Sequence, residues 1–392
     1  MIDETYSIGT LIIIKGLDFG GVSGGSDKFG YELCLALNRM GYTAALCVYN
    51  IFNTDMERTA IKVLESENIP IFVFKGKSAF KKLFNSNIHG FCKQHGLSIA
   101  HSHFQVGSLL ACILKFRNSV SKIIRTAHIT QEWGKGLIPW LFRQIFTNNF
   151  FPKWFDAEIG VSLDILRQLE SYKKAKKHGS RTGVIYNGIP EYWFDQKSYK
   201  VKYSDQNKNR IIGAVGLLVP RKGFDYLIKS MPKIIEKIPD CNLIIIGDGP
   251  QRSELENIVE NLNIHNFVSF KGQQRDIRYW LNNMDLLVLP SLAEGFPTIL
   301  LESMATKVPV IATDIKGSRE LVIEGQTGWL VPISSPDAIA DKIIYAFSHP
   351  DQQRMIIEKA YNWAKNFTIE NAAKEYIRLH KELIFGGIEV GS

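Results

Sequence analysis

The sequence predicts an α/β protein made of two doubly wound domains that face each other across a cleft. Three observations carry that expectation. Short apolar runs alternate with helical patterns along most of the 392 residues. The alternation is interrupted by a polar, lysine-rich stretch, Ser198 to Arg210, and then restarts. Loops marked by glycine follow several apolar runs, which is where an open parallel sheet holds its ligands.

The first apolar run, Thr10 to Ile14, leads into Gly20-Gly21-Val22-Ser23-Gly24-Gly25. A helical pattern then carries Phe29, Leu33, Leu35, Ala36 and Leu37 to Met40-Gly41, where the glycine caps it. Ala44 to Tyr49 follows as the next run. A strand, loop, helix and strand at this spacing form a βαβ unit, which requires a parallel sheet. Further strands are expected at Ile71–Phe74, Ile99–His101, Lys122–Thr126 and Ala157–Val161. Beyond the linker, strands are expected at Ile211–Val215, Leu243–Ile246, Leu286–Leu289 and Val308–Ala312. Helices are expected at Asp225–Lys237 and Glu254–Leu262. The expected domains are 1–188 and 189–366, with a helix near 367–392 packing back on the first.

Composition narrows the class. The 45% hydrophobic and 22% charged residues are ordinary for a folded soluble protein. No apolar run approaches the roughly 18 residues that span a bilayer. Met1 to Ser7 is acidic and polar, so it does not read as a signal peptide. The net charge of +8 is unevenly placed. Residues 1–188 hold 23 basic and 14 acidic side chains, whereas 189–392 hold 24 and 25. Five scattered cysteines without metal spacing read as buried thiols, which points to the cytoplasm.

Two segments carry chemistry. In the first, Pro290-Ser291-Leu292-Ala293-Glu294-Gly295-Phe296-Pro297-Thr298-Ile299-Leu300-Leu301-Glu302, a strand ends and Pro297 sits where a helix begins. Backbone N–H groups around Thr298 to Leu300 would then form an anion site. Glu294 precedes that site and Glu302 lies beyond the first helical turn, so the two carboxylates can accept hydrogen bonds from different parts of a ligand. The plainer reading is a helix start with an acidic residue favoured by the dipole. The second segment is Gly216-Leu217-Leu218-Val219-Pro220-Arg221-Lys222-Gly223-Phe224. Adjacent cations before a helix suit a diphosphate, one as a fork and one as a point charge. Taken alone, a Lys-Gly there is also compatible with a solvated turn.

Together these segments resemble the signatures of the retaining glycosyltransferases of sequence family 4, which have the GT-B fold of two Rossmann-like domains. Glu294 and Glu302 match that family's Glu, seven residues, Glu motif, and Gly216 to Gly223 matches its Gly, loop, Lys-Gly motif. Gly24-Gly25, Asn187-Gly188-Ile189 and Gly317-Ser318-Arg319-Glu320-Leu321 through Gly328 also match, in order along nearly the whole chain. The resemblance implies that Glu294 contacts the hydroxyls of the transferred sugar and Glu302 the nucleotide ribose. Lys222 would neutralise the departing diphosphate with Arg221 nearby. Gly295, Phe296, Pro297, Thr298 and Ile299 would complete the donor site. Gly24 and Gly25 would let backbone approach the phosphates. His128, after a predicted strand in Thr126-Ala127-His128, matches the histidine beside the sugar and would orient it; a lone histidine there also suits a structural role.

Two departures stand out: Leu217 occupies a position where many members carry Arg, and Ser26-Asp27 replaces a common Glu at its second position. His101 and His103 alternate onto one face but lack a third metal ligand nearby. The resemblance therefore implies no metal and no cofactor, the nucleotide-sugar donor being a substrate. With no well-placed carboxylate nucleophile, a front-face retaining transfer of a hexose is expected, with a UDP-sugar favoured and a GDP-sugar possible.

The acceptor is read from the basic half. Trp133 to Phe155 contains eight aromatics, three cations and no acids in 23 residues. Such a stretch favours a membrane interface, and Lys75, Lys77, Lys81, Lys82 and the lysines of Lys173–Lys177 would add attraction to anionic lipid. The alternative is that the aromatics are core. No nucleic-acid module accompanies the charge. The expectation is a peripheral enzyme on the cytoplasmic membrane face, acting on a lipid-linked or cell-surface glycan in polysaccharide biosynthesis. A soluble transferase with a small acceptor, or a non-catalytic sugar-nucleotide binder of the same fold, are the alternatives.

Overall fold

The computed structural model describes residues 8–19, 24–74, 85–128, 145–146, 150–172, 180–195 and 209–386. Two compact units divide the chain, Met1–Gly188 with Ile369–Ser392, and Ile189–Thr368.

The first unit has strands at Gly9–Ile14 (β1), Ala44–Val48 (β2), Ile71–Val73 (β3), Leu97–Ser102 (β4), Lys122–Ala127 (β5), Ala157–Gly160 (β6) and Arg181–Val184 (β7). They form one parallel sheet in the order β3-β2-β1-β4-β5-β6-β7. Residues on β1 alternate between two cores. Ile12 and Ile14 pack with Leu33, Leu37 and Leu46, while Leu11 and Ile13 pack with Leu110, Ile123 and Phe151. Helices cover both faces of the sheet, which is why the run is apolar at every position. In register, Ile12 faces Leu46 of β2 on one side and His101 of β4 on the other. The winding reverses between β1 and β4, so the loops after these strands lie at a topological switch point.

The helix Ile369–Phe385 belongs to this unit. Its Tyr376 is fully buried beside Phe29, and the Tyr376 hydroxyl lies 2.8 Å from Thr126 Oγ1. His380 Nδ1 meets the Tyr42 hydroxyl at 2.9 Å.

In the second unit, strands at Arg210–Val215 (β8), Cys241–Ile246 (β9), Val268–Phe270 (β10), Leu286–Leu289 (β11), Val310–Thr313 (β12) and Trp329–Val331 (β13) form a parallel sheet in the order β10-β9-β8-β11-β12-β13. Helix Phe224–Lys237 buries Leu227, Ile228, Met231 and Ile234, one apolar stripe at helical spacing. Here the switch point lies between β8 and β11, with Ile212 paired to Leu243 on one side and Leu286 on the other.

The expected strands are all present, with ends shifted by at most two residues. Three strands were not expected: β7, β10 and β13. All three are edge strands of three or four residues, too short for an apolar run to stand out.

Part of the aromatic segment belongs to the core, the alternative reading of its composition. Phe151 and Phe155 are buried in the core, and Phe146, Phe150 and Trp154 pack against it. Arg125 sits 5.1 Å over the Phe151 ring, filling the same layer. Phe151 and Phe155 are therefore core residues, and the other three rings are partly buried against them. Trp133, Trp140, Phe142, Lys75–Lys82, Lys173–Lys177, Gly20–Ser23 and most of the expected linker lie outside the described residues. All five cysteines are free and buried. Among the described residues no helix is long and apolar enough to cross a membrane.

Candidate active site

The second unit gathers its candidate residues from the loops after β8 and β11. After Val215 the chain passes Gly216 and buries Leu218, then makes a tight 3-10 turn over Pro220–Lys222. Gly223 follows in the left-handed region, φ 63° and ψ 24°, and opens the helix Phe224–Lys237. A Cβ at Gly223 would strike the Pro290 carbonyl, so glycine is required both by conformation and by close approach. The Leu292 N–H donates to the Arg221 carbonyl at 2.8 Å and locks the two loops together. From a third side, a Cβ on Gly317 would lie 2.5 Å from the Glu294 carbonyl oxygen. Glu294 is thus held on a backbone that cannot shift without disturbing both neighbours.

Its carboxylate is the focus of the cluster. Lys222 Nζ donates to Oε1 at 2.5 Å and Ser291 Oγ donates to the same oxygen at 2.7 Å. Arg221 Nη1 stands 3.6 Å from Oε2. The side chains of Glu294 and Lys222 are 9% and 14% exposed, that of Arg221 50%. Burial works to raise the Glu294 pKa, but the Lys222 charge, hydrogen bonds from Lys222 and Ser291, and the Arg221 charge outweigh it. The carboxyl consequently lies below its usual range and is ionised at neutral pH. Leu217 is partly exposed and carries no charge; Arg221, four residues on, stands beside Glu294 Oε2.

The helix after Glu294 runs Thr298–Ala305, with Pro297 just before its first turn instead of within it. The Leu300 N–H donates to the Pro297 carbonyl at 3.0 Å, so of the three amides expected to face an anion it is already engaged. Thr298 and Ile299 begin the helix and are half-buried. Gly295 and Pro297 are buried. The Phe296 ring is buried and packs on Phe367 at 5.7 Å, so its side chain anchors the loop. Glu302 is 5% exposed within this helix.

In the first unit, Gly24 caps and Gly25 begins the helix Gly25–Arg39. A Cβ at either would meet nothing within 4 Å, so nothing inside the described protein demands glycine there. The following Asp27 is buried and accepts the Lys15 N–H at 2.7 Å. Desolvation pushes its pKa up to about 6 against opposing hydrogen bonds from the Lys15 and Gly24 backbone.

His128 directly follows β5. Its Nε2 lies 3.0 Å from Nδ1 of His103, which follows β4. His101 Nε2 is 2.7 Å from Thr126 Oγ1, and the His101 and His103 ring centroids are 4.4 Å apart. Burial drives the His128 pKa down to about 3. His101 and His103 are also held well below the usual histidine range, by burial first and by neighbouring histidines second. Among the described residues no three His, Cys, Asp or Glu side chains converge to hold a metal.

Comparison with known proteins identifies the family. Residues 23–191 match the family model described as Glycosyltransferase Family 4, and residues 195–363 match the model described as Glycosyl transferases group 1. The chain belongs to glycosyltransferase family 4. This family 4 glycosyltransferase, a member of a retaining family, is 28% identical over 298 residues to an uncharacterised glycosyltransferase of Methanocaldococcus jannaschii, spanning 74% of this chain and 77% of the relative. It is 26% identical over 298 residues to the N-acetyl-alpha-D-glucosaminyl L-malate synthase of Bacillus anthracis, spanning 74% and 76%. The Anabaena protein HepE, solved with UDP and glucose, superposes with a TM-score of 0.76 at 20% identity, over 95% of this chain and 99% of that one. The structural likeness identifies the fold as GT-B, two parallel-sheet Rossmann-like α/β domains.

Within this family 4 glycosyltransferase, Lys222, Arg221 and Glu294 are brought into one cluster, and Glu302 follows on the adjoining helix. Gly24, Gly25 and His128 belong to the other unit. Two features escaped the sequence reading. Ser291 is a third ligand of the Glu294 carboxylate, and its place three residues earlier in the same loop was the available signal. The His103–His128 pair joins the ends of adjacent strands, and no local spacing announces it.

Proposed function

We propose that this enzyme transfers a hexose from a nucleotide-diphosphate donor to an acceptor hydroxyl with retention at the anomeric carbon. The observation that carries the reading is the buried, ionised Glu294 held between Lys222, Ser291 and Arg221. In this reading the sugar hydroxyls donate to Glu294 while the donor's phosphates compete for Lys222 and Arg221. Glu302 accepts from the ribose. Thr298 and Ile299 amides, with the helix dipole behind them, meet the phosphates. Open space at Gly24 and Gly25 supports their serving as a close backbone approach to the ligand. His128 orients the sugar by a hydrogen bond.

The transfer proceeds on one face. The bond between anomeric carbon and diphosphate oxygen breaks as the acceptor oxygen bonds to the same face. The acceptor's proton passes to the departing diphosphate, whose growing charge Lys222, Arg221 and the helix start stabilise. UDP is the proposed carrier, an expectation supported by the fold likeness to HepE, whose structure contains UDP and glucose. A thermal-shift panel of uridine, guanosine and adenosine diphosphates tests it: at 100 Kd the matching nucleotide stabilises by about 2.7 kcal/mol. Equal response to all three, or to none, would sink the donor assignment.

For the acceptor we propose an anionic lipid-linked or cell-surface glycan, with peripheral attachment at the cytoplasmic membrane face. The basic excess of residues 1–188 supports it. A small soluble acceptor is the second reading, favoured by the packing of five aromatics from 133–155 in or against the core and by a relative named N-acetyl-alpha-D-glucosaminyl L-malate synthase. Salt-sensitive co-sedimentation with anionic vesicles is expected for the first and absent for the second.

A further inference from the structure

The candidate site in the first unit contains a pair of imidazoles, His103 buried and His128 half-buried, whose geometry restricts where their protons sit. His103 Nδ1 and His128 Nε2 are 3.0 Å apart, a hydrogen-bond distance that needs a single proton between them. His103 is 3% exposed, and its other nitrogen, Nε2, is buried without a hydrogen-bond partner among the described residues. The ring cannot swing away to find one. Its backbone N–H donates to Ile13 at 3.1 Å, Phe29 packs on it, and a Cβ on Gly30 would already approach its Cδ2 to 3.3 Å.

Two neutral arrangements satisfy the contact. If His128 donated from Nε2, His103 would accept at Nδ1 and carry its own proton on Nε2, a buried N–H with no acceptor among the described residues. If His103 donates from Nδ1, its Nε2 is left as a lone pair. Orphaned buried N–H groups are the rarer fault in folded proteins. We propose that His103 is a positioning residue that donates from Nδ1 to His128 Nε2 and so fixes the His128 proton on Nδ1. His128 then meets a ligand as a hydrogen-bond donor through Nδ1 and does not act as a general base. This role rests on the reading of His128 as a sugar-orienting residue, whereas the tautomer itself does not. The strong depression of both pKa values by burial is consistent with two neutral rings.

The test is long-range proton–nitrogen correlation spectroscopy on the ligand-free full chain with nitrogen-15 histidine, the His128 signals being assigned with His128→Gln. At pH 7.5 the wild type should show a protonated Nδ1 and an unprotonated Nε2 on His128. His103→Asn, whose amide can still donate at the Nδ1 position, should keep that pattern. His103→Phe should release His128 to the Nε2-protonated form that solvent favours. A wild-type His128 protonated on Nε2, or an unchanged pattern in a folded His103→Phe protein, would overturn the proposal. If His103→Phe does not fold, the wild-type spectrum and His103→Asn still decide it. Donor turnover separates the two layers. His103→Phe should lose about tenfold in kcat/KM, the worth of one hydrogen bond, and His103→Asn should recover most of it. A confirmed tautomer with unchanged turnover in His128→Gln would overturn the sugar-orienting role and leave the pairing standing.

Discussion

Lys222 and Glu294, 72 residues apart in sequence, share a 2.5 Å ion pair at the ends of neighbouring strands. The pair holds the charges that the proposed chemistry needs in a largely buried setting. Without a ligand they neutralise each other, and a donor would replace each partner with one of its own groups.

Removing one partner should therefore reveal the strain of the other. Lys222→Ala should destabilise the ligand-free protein by about 1–2 kcal/mol, since Glu294 keeps only Ser291 and Arg221. Glu294→Gln should cost less than that in stability but lower kcat by about 100-fold or more. Urea unfolding and steady-state turnover measure the two effects. Wild-type turnover in either variant would remove the cluster from the reaction.

Gly223→Ala tests the scaffold beneath the pair. Its positive φ and the approach of Pro290 should together make the substitution cost about 1–3 kcal/mol. Gly25→Ala is the contrast, because open space surrounds it and φ at the adjoining cap is negative. That variant should keep its melting temperature and lose donor affinity. A larger stability loss in Gly25→Ala than in Gly223→Ala would contradict both assignments.

Asp27 should make the protein more stable when it is replaced. Its folded pKa, about 6, lies above the 3.8 of an unperturbed aspartate, so the folded state holds the proton more tightly. Its ionisation penalty is absent below pH 3.8, grows between 3.8 and 6, and is complete above 6. Asp27→Asn keeps an acceptor for the Lys15 N–H and should gain up to about 2–3 kcal/mol at pH 7.5, with no gain near pH 3.5. Chemical denaturation at the two pH values checks this. An asparagine variant less stable than wild type at pH 7.5 would refute it.

The histidines act in the opposite sense. His101, His103, His128 and His380 all have folded pKa values below the usual 6.5, with His128 and His380 at about 3. Folding then excludes protons, so the stability they contribute is complete above pH 6.5 and is lost as pH falls below it. Each fully responding ring contributes a slope of about 1.4 kcal/mol per pH unit, the same size as the opposing slope of Asp27, so the four rings together outweigh it. The melting temperature should be flat from pH 7 to 8 and fall steeply below 6.5. A flat profile down to pH 5 would show that these rings are not buried as neutral imidazoles.

Much of this enzyme is legible along the chain because its signals are local. Runs such as Thr10–Ile14 and Leu286–Leu289 mark buried parallel strands, and Gly216–Gly223 and Glu294–Glu302 mark the loops and helix starts that follow strands. These patterns need only periodicity and backbone chemistry over a dozen residues. The short edge strands β7, β10 and β13 are too brief to carry them. Long-range packing decided the rest. The order of strands in each sheet brings Lys222 to Glu294 and His103 to His128, and burial against β5 turns Phe151 and Phe155 inward where amphipathic composition pointed to lipid. Residue type states what a side chain can bond to, but only the sheet order determines which partner comes within 3 Å.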